Sequence, residues 1–249
     1  MKCLVILPCY NEEQNLKTLI PTIASTIKPK MPYKIIAVND GSNDHTSQIL
    51  NELSKEYPII LIEHQKNKGL AETLKDGLKT AAELSSPEDL IITMDSDNTH
   101  NPRYMLDMAK NIGNADIIIG SRYIKGGKQL NVPPHRIILS KAINQSVKIT
   151  TKIPIKDATS GYRCIKAKTI KKLHKHLGKK LIESKGFEAS LELLLKLFWI
   201  NPKILEIPIT LDYSQKDGPS KMKLLPTIKQ YTTLLLSAQK WKKQLKKHK

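Results

Sequence analysis

Short apolar runs and amphipathic stretches alternate along the first half of the chain. Runs of aliphatic and β-branched residues over 3–7, 34–39, 59–63, 90–94 and 116–119 predict strands. Between them the patterns over 12–27, 44–56, 70–84 and 102–112 predict helices. Strand–helix repetition of this kind predicts an α/β fold, a mostly parallel central sheet with helices on both faces. After residue 119 the pattern changes. Residues 120–131 read as a loop, 134–151 as a long helix and 157–164 as a second polar loop. Helices near 167–176 and 186–199 and a strand near 203–207 follow. In the last segment, 225–245, Ile228, Tyr231, Leu235, Ala238, Trp241 and Leu245 recur at helical spacing. The chain thus divides into a main domain over 1–222 and a basic amphipathic helix over 223–249.

Open parallel sheets bind ligands beyond the carboxyl ends of their strands, and the polar clusters fall there. Pro8-Cys9-Tyr10-Asn11-Glu12-Glu13 follows the first strand, Asp40-Gly41-Ser42 the second and Asp95-Ser96-Asp97 the fourth. Carboxylates two residues apart at a strand end can turn toward one ion, and hard oxygens suit Mg²⁺ or Mn²⁺. Taken alone, an Asp-x-Asp pair is equally a solvated turn; its position directly after a buried strand, near two further acidic strand ends, gives it weight.

Composition narrows the partners. The net charge is +18, so the surface attracts polyanions. Aromatic residues make up 5% of the chain and show no stacking pattern, which argues against a nucleic-acid-binding protein. Cys3, Cys9 and Cys164 are scattered, giving neither a disulfide framework nor a zinc site, and fit a reducing cytosol. The apolar run at 3–7 is too short for a secretory leader, and no run approaches the roughly 20 residues that span a bilayer. The expectation is a cytoplasmic protein, peripheral at the cytoplasmic face of the membrane. Arginine is rare: Arg103, Arg122, Arg136 and Arg163 are the only four among 41 basic residues. Guanidinium forks grip phosphate bidentately, which lysine does less well. Arg122 and Arg136 are therefore candidates for phosphate binding, while Arg163 reads equally well as a structural ion-pair residue.

The motifs together resemble family 2 of the inverting glycosyltransferases, which have a GT-A fold. The likeness is carried by Pro8-Cys9-Tyr10-Asn11-Glu12, Asn39-Asp40-Gly41-Ser42-Asn43-Asp44 and Asp95-Ser96-Asp97. It implies that Pro8, Tyr10, Glu12 and Asp40 line a nucleoside pocket, that Gly69 lies beside base and ribose, and that Asp95 and Asp97 face metal and diphosphate. Further on, Gly120-Ser121-Arg122-Tyr123, His135-Arg136, Ser140 and Asp157-Ala158-Thr159-Ser160-Gly161-Tyr162-Arg163 are similar to dolichyl-phosphate mannose synthases and related polyprenyl-phosphate glycosyltransferases. By that resemblance Arg122, Arg136 and Ser140 hold the acceptor phosphate, and Asp97, Arg122 and Arg136 carry the catalysis. The donor it implies is GDP-mannose, with UDP-glucose as the alternative; an acceptor bearing a sugar hydroxyl is the alternative to the lipid phosphate. A phosphate monoester is already ionised near neutral pH, its second pKa being about 6, so no dedicated base is required. Glu188 either faces sugar hydroxyls or caps a helix.

The chain departs from the family pattern at two places. Thr99, with His100 beside it, stands where relatives carry a glutamine as third metal ligand. Gln215 stands where relatives carry a diphosphate-clamping arginine, leaving Lys216 or Lys221 to supply that charge. The terminal helix suits a membrane interface beside anionic lipid; alternatively its apolar stripe packs on the domain itself or on a membrane-anchoring subunit.

Overall fold

The seven residues Cys3–Cys9 form β1, at the heart of the sheet, and nearly all of them are buried. The computed structural model describes residues 1–216, 218 and 224–246. Along the first half follow α1 (Glu13–Ile27), β2 (Tyr33–Asn39), α2 (Thr46–Leu53), β3 (Ile59–Glu63), α3 (Leu70–Leu84), β4 (Leu90–Thr93), α4 (Tyr104–Asn111) and β5 (Ile117–Ser121). The second half holds β6 (Lys128–Leu130), α5 (Pro134–Thr151), β7 (Arg163–Lys166), α6 (Ala167–Leu177), α7 (Ala189–Trp199), β8 (Ile204–Pro208), β9 (Thr210–Asp212) and α8 (Leu224–Lys246).

Seven strands make one sheet in the order β3-β2-β1-β4-β7-β5-β8. All neighbours are parallel except β7, which runs antiparallel between β4 and β5. Strand side chains alternate between faces, and the core divides accordingly. Leu4 and Ile6 of β1 join α3, α5, α6, α7 and α8 on one face, while Cys3, Val5 and Leu7 join α1, α2 and α4 on the other. The predicted α/β sheet with helices on both faces is therefore present.

Three strands depart from the sequence expectation. The polar loop expected over 157–164 turns into β7 at Arg163. This four-residue strand is too short to show a period of its own, and its partners Leu90–Thr93 and Ile117–Ile119 lie far off in sequence. Likewise β6 and β9 fall in stretches with no strand signal and pair only with each other. This two-stranded ribbon reaches the loop after β4 through a bridge between His100 and Leu211.

The last helix is not a separate appendage. Tyr231, Leu234, Ala238 and Trp241 belong to the main core, and the Trp241 ring lies 6.5 Å from that of Trp199 on α7. The stripe that suggested a membrane-facing surface is thus taken up by the protein itself at Tyr231, Ala238 and Trp241. Among the described residues no helix is long and apolar enough to cross a membrane.

Candidate active site

Strands β2, β1 and β4 are parallel neighbours, so their carboxyl ends bring Asp40, the 8–13 segment and Asp95–Asp97 to one edge of the sheet. The segments are tied together there. Ser96 Oγ donates to the Pro8 carbonyl at 2.9 Å, and Asp40 N donates to the Cys9 carbonyl at 2.8 Å. Glu12 is buried, with its amide donating to Thr46 Oγ1 at 2.8 Å and its carboxylate accepting from Asn15 Nδ2 at 2.6 Å. Tyr10 is half-buried.

The Asp40 carboxylate points inward. One oxygen accepts from the Lys68 amide at 2.9 Å and faces His64 Nδ1 at 2.7 Å; the other accepts from the Gly69 amide at 2.8 Å. Asp40 therefore shapes the pocket by clasping the Lys68–Gly69 backbone. His64, which no sequence motif singled out, braces this clasp with its second ring nitrogen 3.0 Å from Asp76. Gly69 has φ +89°, and a β-carbon there would meet the Lys185 carbonyl oxygen at 2.7 Å, so the position requires glycine on both counts.

Asp95 and Asp97 occupy contrasting environments. The Asp95 side chain is 53% exposed, with His100 Nδ1 3.8 Å from its Oδ2. Desolvation and the neighbouring Asp97 charge raise its pKa, while His100, and after it Lys216 and Arg122, act in the opposite direction. Asp97 is held on both oxygens. Thr99 Oγ1 donates to Oδ1 at 2.6 Å, and the Lys216 ammonium sits 2.5 Å from Oδ2. Burial alone would raise the Asp97 pKa, but Lys216 and Thr99 outweigh it and hold the carboxyl below its ordinary value. Neither residue in doubt at the sequence level supplies a ready third metal ligand. Thr99 is engaged with Asp97, and His100 Nδ1 accepts from the Asp95 amide at 3.1 Å while its ring stacks on Tyr162. Among the described residues no cluster of three His, Cys, Asp or Glu side chains could hold an ion. The chemistry of the pair nonetheless suits a divalent cation: both are hard carboxylate donors, and one of them already draws an ammonium group.

A second cluster is built on α5 and is linked to this pair by the 213–216 turn, whose Tyr213 meets Arg136 and whose Lys216 meets Asp97. Arg136, Ser140 and Asn144 recur every four residues and so share one helix face. Arg122 donates through Nε and Nη2 to Asp157 at 2.7 and 2.6 Å, and through Nη2 to Thr159 Oγ1 at 2.7 Å and Ser140 Oγ at 3.3 Å. Its Nη1 takes no part in these bonds. Burial would lower the Arg122 pKa, but the fully buried Asp157 outweighs it and pushes it further up. Arg136 reaches Tyr213, donating from Nη1 to its hydroxyl at 3.3 Å with the guanidinium 5.9 Å from the ring centre. Asp157, Thr159 and Tyr213 complete the cluster. The first two lie in a motif already noted for its resemblance, whereas nothing in the sequence pointed to Tyr213.

Arg163 proves structural. It is buried, donates to the carbonyls of Ser190 and Ala158, and burial lowers its pKa to about 10. Glu188 immediately precedes α7; one oxygen accepts from the Lys185 and Gly186 amides, and the other is buried without a partner. Lys221 lies outside the described residues. A cavity of about 610 Å³ opens at the opposite end of the sheet, between the end of α1 and the starts of β2 and β3, and includes none of these groups.

Comparison with known proteins agrees with this architecture. The family model for glycosyl transferase family 2 matches residues 4–173. The chain is 34% identical over 244 residues to a dolichol-phosphate mannosyltransferase of Pyrococcus furiosus, covering 97% of this chain and 64% of that protein. It is 29% identical over 224 residues to an undecaprenyl-phosphate mannosyltransferase of Micrococcus luteus, covering 89% and 88% respectively. It thus spans a little under two thirds of the length of the first of these relatives. Among solved structures, glucosyl-3-phosphoglycerate synthase of Mycobacterium tuberculosis, in complex with Mn²⁺, UDP and phosphoglyceric acid, superposes with a TM-score of 0.66 at 16% identity. That match covers 96% of this chain and 78% of the other, and supports the expected GT-A fold.

Proposed function

Since the chain belongs to glycosyl transferase family 2, we propose that it transfers a hexose from a nucleotide-sugar to a polyprenyl or dolichyl phosphate, with inversion. The observation that carries this reading is that one short turn joins the Asp95/Asp97 pair to the guanidinium cluster, Tyr213 accepting from Arg136 and Lys216 donating to Asp97. Mannose is the sugar in the names of both relatives, and GDP-mannose is the donor that the motif resemblance implies.

In this reading Pro8, Tyr10, Glu12 and Gly69 bound the nucleoside, with Asp40 positioning the backbone behind it. Asp95 and Asp97 would hold a Mg²⁺ or Mn²⁺ ion. When bound, such an ion neutralises charge on a departing diphosphate. Arg122, locked by Asp157, presents its uncommitted Nη1 to the acceptor phosphate, and Ser140 and Arg136 flank it along the same helix face. The acceptor needs alignment more than activation, because its oxygen is already charged near neutral pH. A fixed guanidinium performs that task without reorganising during the reaction.

The membrane reading moves from α8 to the outer side of α5. Ile138 and Ile149 lie eleven residues apart, three helical turns, and so point the same way; they are 68% and 67% exposed. Lys141 and Lys148 are exposed on the same helix. Apolar side chains among lysines suit an anionic lipid surface, on the side of α5 opposite the face that carries Arg136 and Ser140.

The decisive experiment incubates purified protein with Mn²⁺, membrane lipid extract and a panel of radiolabelled nucleotide-sugars. Label from GDP-mannose entering the organic phase is the expected result. Label entering only water-soluble glycan would favour a hydroxyl acceptor and overturn the lipid-phosphate reading.

A further inference from the structure

We propose that Lys216 and the divalent cation are alternative occupants of Asp97, so that the ammonium must leave this carboxylate for the ion to be bound in full. This inference rests on the metal-site reading above. Each Asp97 oxygen already has a donor, Thr99 on one side and Lys216 on the other, and the two side chains of the ion pair are only 16% and 14% exposed. Thr99 Oγ1 is hydrogen-bonded within the same loop, whereas Lys216 arrives from a different part of the chain on a flexible four-carbon stem. Lys216 is therefore the donor that can yield.

Its placement is built into the fold. The Asp212 amide donates to the Thr99 carbonyl at 3.4 Å, the Asp212 side chain accepts from the Ser214 amide at 3.0 Å, and the Lys216 amide donates to the Tyr213 carbonyl at 3.3 Å. These bonds anchor the turn directly before Lys216 beside the Asp95–His100 loop. The carboxylates of Glu12 and Asp95 add to the attraction on the ammonium.

A metal ion and an ammonium group on one carboxylate oxygen repel each other, so binding of the ion weakens the hold on Lys216. An ion arriving alone therefore displaces Lys216 from its hydrogen-bonded partner and brings no new one to replace it. An ion arriving with a nucleoside diphosphate brings phosphate oxygens that Lys216 can bind, at the place where Gln215 replaces the family's arginine. The exchange makes metal and diphosphate binding mutually reinforcing, and linkage requires the effect to be reciprocal.

The test measures Mn²⁺ affinity by electron paramagnetic resonance, with and without GDP or UDP, in the unaltered chain and in Lys216→Met, Lys216→Arg and Asp97→Asn. Thermal melting of each variant serves as the folding control. In Lys216→Met, Mn²⁺ alone should bind about tenfold tighter than in the unaltered chain, and the enhancement by nucleoside diphosphate should shrink by a similar factor. Lys216→Arg, which keeps the charge, should retain the weak metal-alone binding. Mn²⁺ binding that is no tighter in Lys216→Met, while Asp97→Asn abolishes it, would overturn this proposal and leave the metal site standing. Mn²⁺ binding indifferent to Asp97→Asn would instead remove the metal-site reading on which it rests.

Discussion

The two walls of the candidate site are prepared in opposite ways. On the guanidinium wall Arg122 is fixed before any ligand arrives: Asp157 takes two of its nitrogens and Thr159 and Ser140 add to the hold. On the carboxylate wall Asp97 is also satisfied, but by a cation, Lys216, that stands where a ligand-borne charge is needed. One wall is preorganised and the other is provisionally neutralised. The contrast follows from charge. A buried arginine held by a carboxylate is compensated in charge, and that partner can leave one nitrogen free. Two neighbouring carboxylates need a cation, and any cation that satisfies them also blocks them.

The sharpest break of this comparison lies at Arg122. Arg122→Ala strands Asp157, which has no exposure of its own, and removing one member of a buried pair costs about 3–5 kcal/mol. Denaturant unfolding should show that loss, and the double variant Arg122→Ala/Asp157→Ala should recover part of it. A single variant with unaltered stability would mean that the Arg122–Asp157 pair is not a fixed feature of the wall. Asp97→Ala should destabilise the fold by less, its pair with Lys216 being partly open, and lower kcat for sugar transfer by roughly 10²–10³-fold, the usual scale for losing one electrostatic contact to a developing charge. Rates measured with labelled donor at saturating acceptor would detect this, and near-normal turnover would remove the carboxylate wall from the chemistry.

The same contrast explains what could be read from the sequence. The strands of the first half were legible because each is a buried apolar run joined to its neighbour by an amphipathic helix, and the Asp95–Asp97 pair was legible because it ends such a strand. Arg122, Arg136 and Ser140 stood out by the rarity of arginine and by motif resemblance. Their partners did not. Tyr213 lies 77 residues from Arg136 and Lys216 lies 119 from Asp97, so no local pattern records either contact. Strand β7 escaped for a related reason: its burial is conferred by β4 and β5 rather than by any periodicity of Arg163–Lys166. The terminal helix misled in the other direction. Its apolar stripe is genuine, but a stripe does not say what covers it, and Trp199 on α7 does so here.

Arg136 separates binding from stability within the guanidinium wall itself. It is half-buried, donates to the Tyr213 hydroxyl and lies beside that ring. Arg136→Ala should therefore change unfolding free energy by no more than about 0.5 kcal/mol. It should raise the KM for polyprenyl phosphate by roughly 10–100-fold, the effect of losing a charge-assisted hydrogen bond. A large stability loss with unchanged KM would show that Arg136 serves the fold rather than the acceptor.

The smallest effect distinguishes the two carboxylates from each other. The folded-state pKa of Asp95 lies above its ordinary value of 3.8, chiefly through burial and then through the Asp97 charge. Ionising Asp95 therefore opposes folding: the penalty is absent well below pH 3.8 and is complete once the pH exceeds the raised value. Asp97 lies below 3.8, because Lys216 and Thr99 outweigh its burial. Its contribution favours folding, is complete above pH 3.8 and is lost as the pH falls through the lowered value. In metal-free buffer at neutral pH, Asp95→Asn should accordingly raise the melting temperature and Asp97→Asn should lower it. The Asp95→Asn gain should vanish on acidification first, and the Asp97→Asn loss only at lower pH. The Asp95 effect is the weaker of the two, since half of that side chain is open to solvent screening. Calorimetry across this range, in metal-free buffer and again with Mn²⁺ and GDP, checks the assignment. Shifts of the same sign for both variants without metal would mean that the pair does not divide into one strained carboxylate and one neutralised by Lys216.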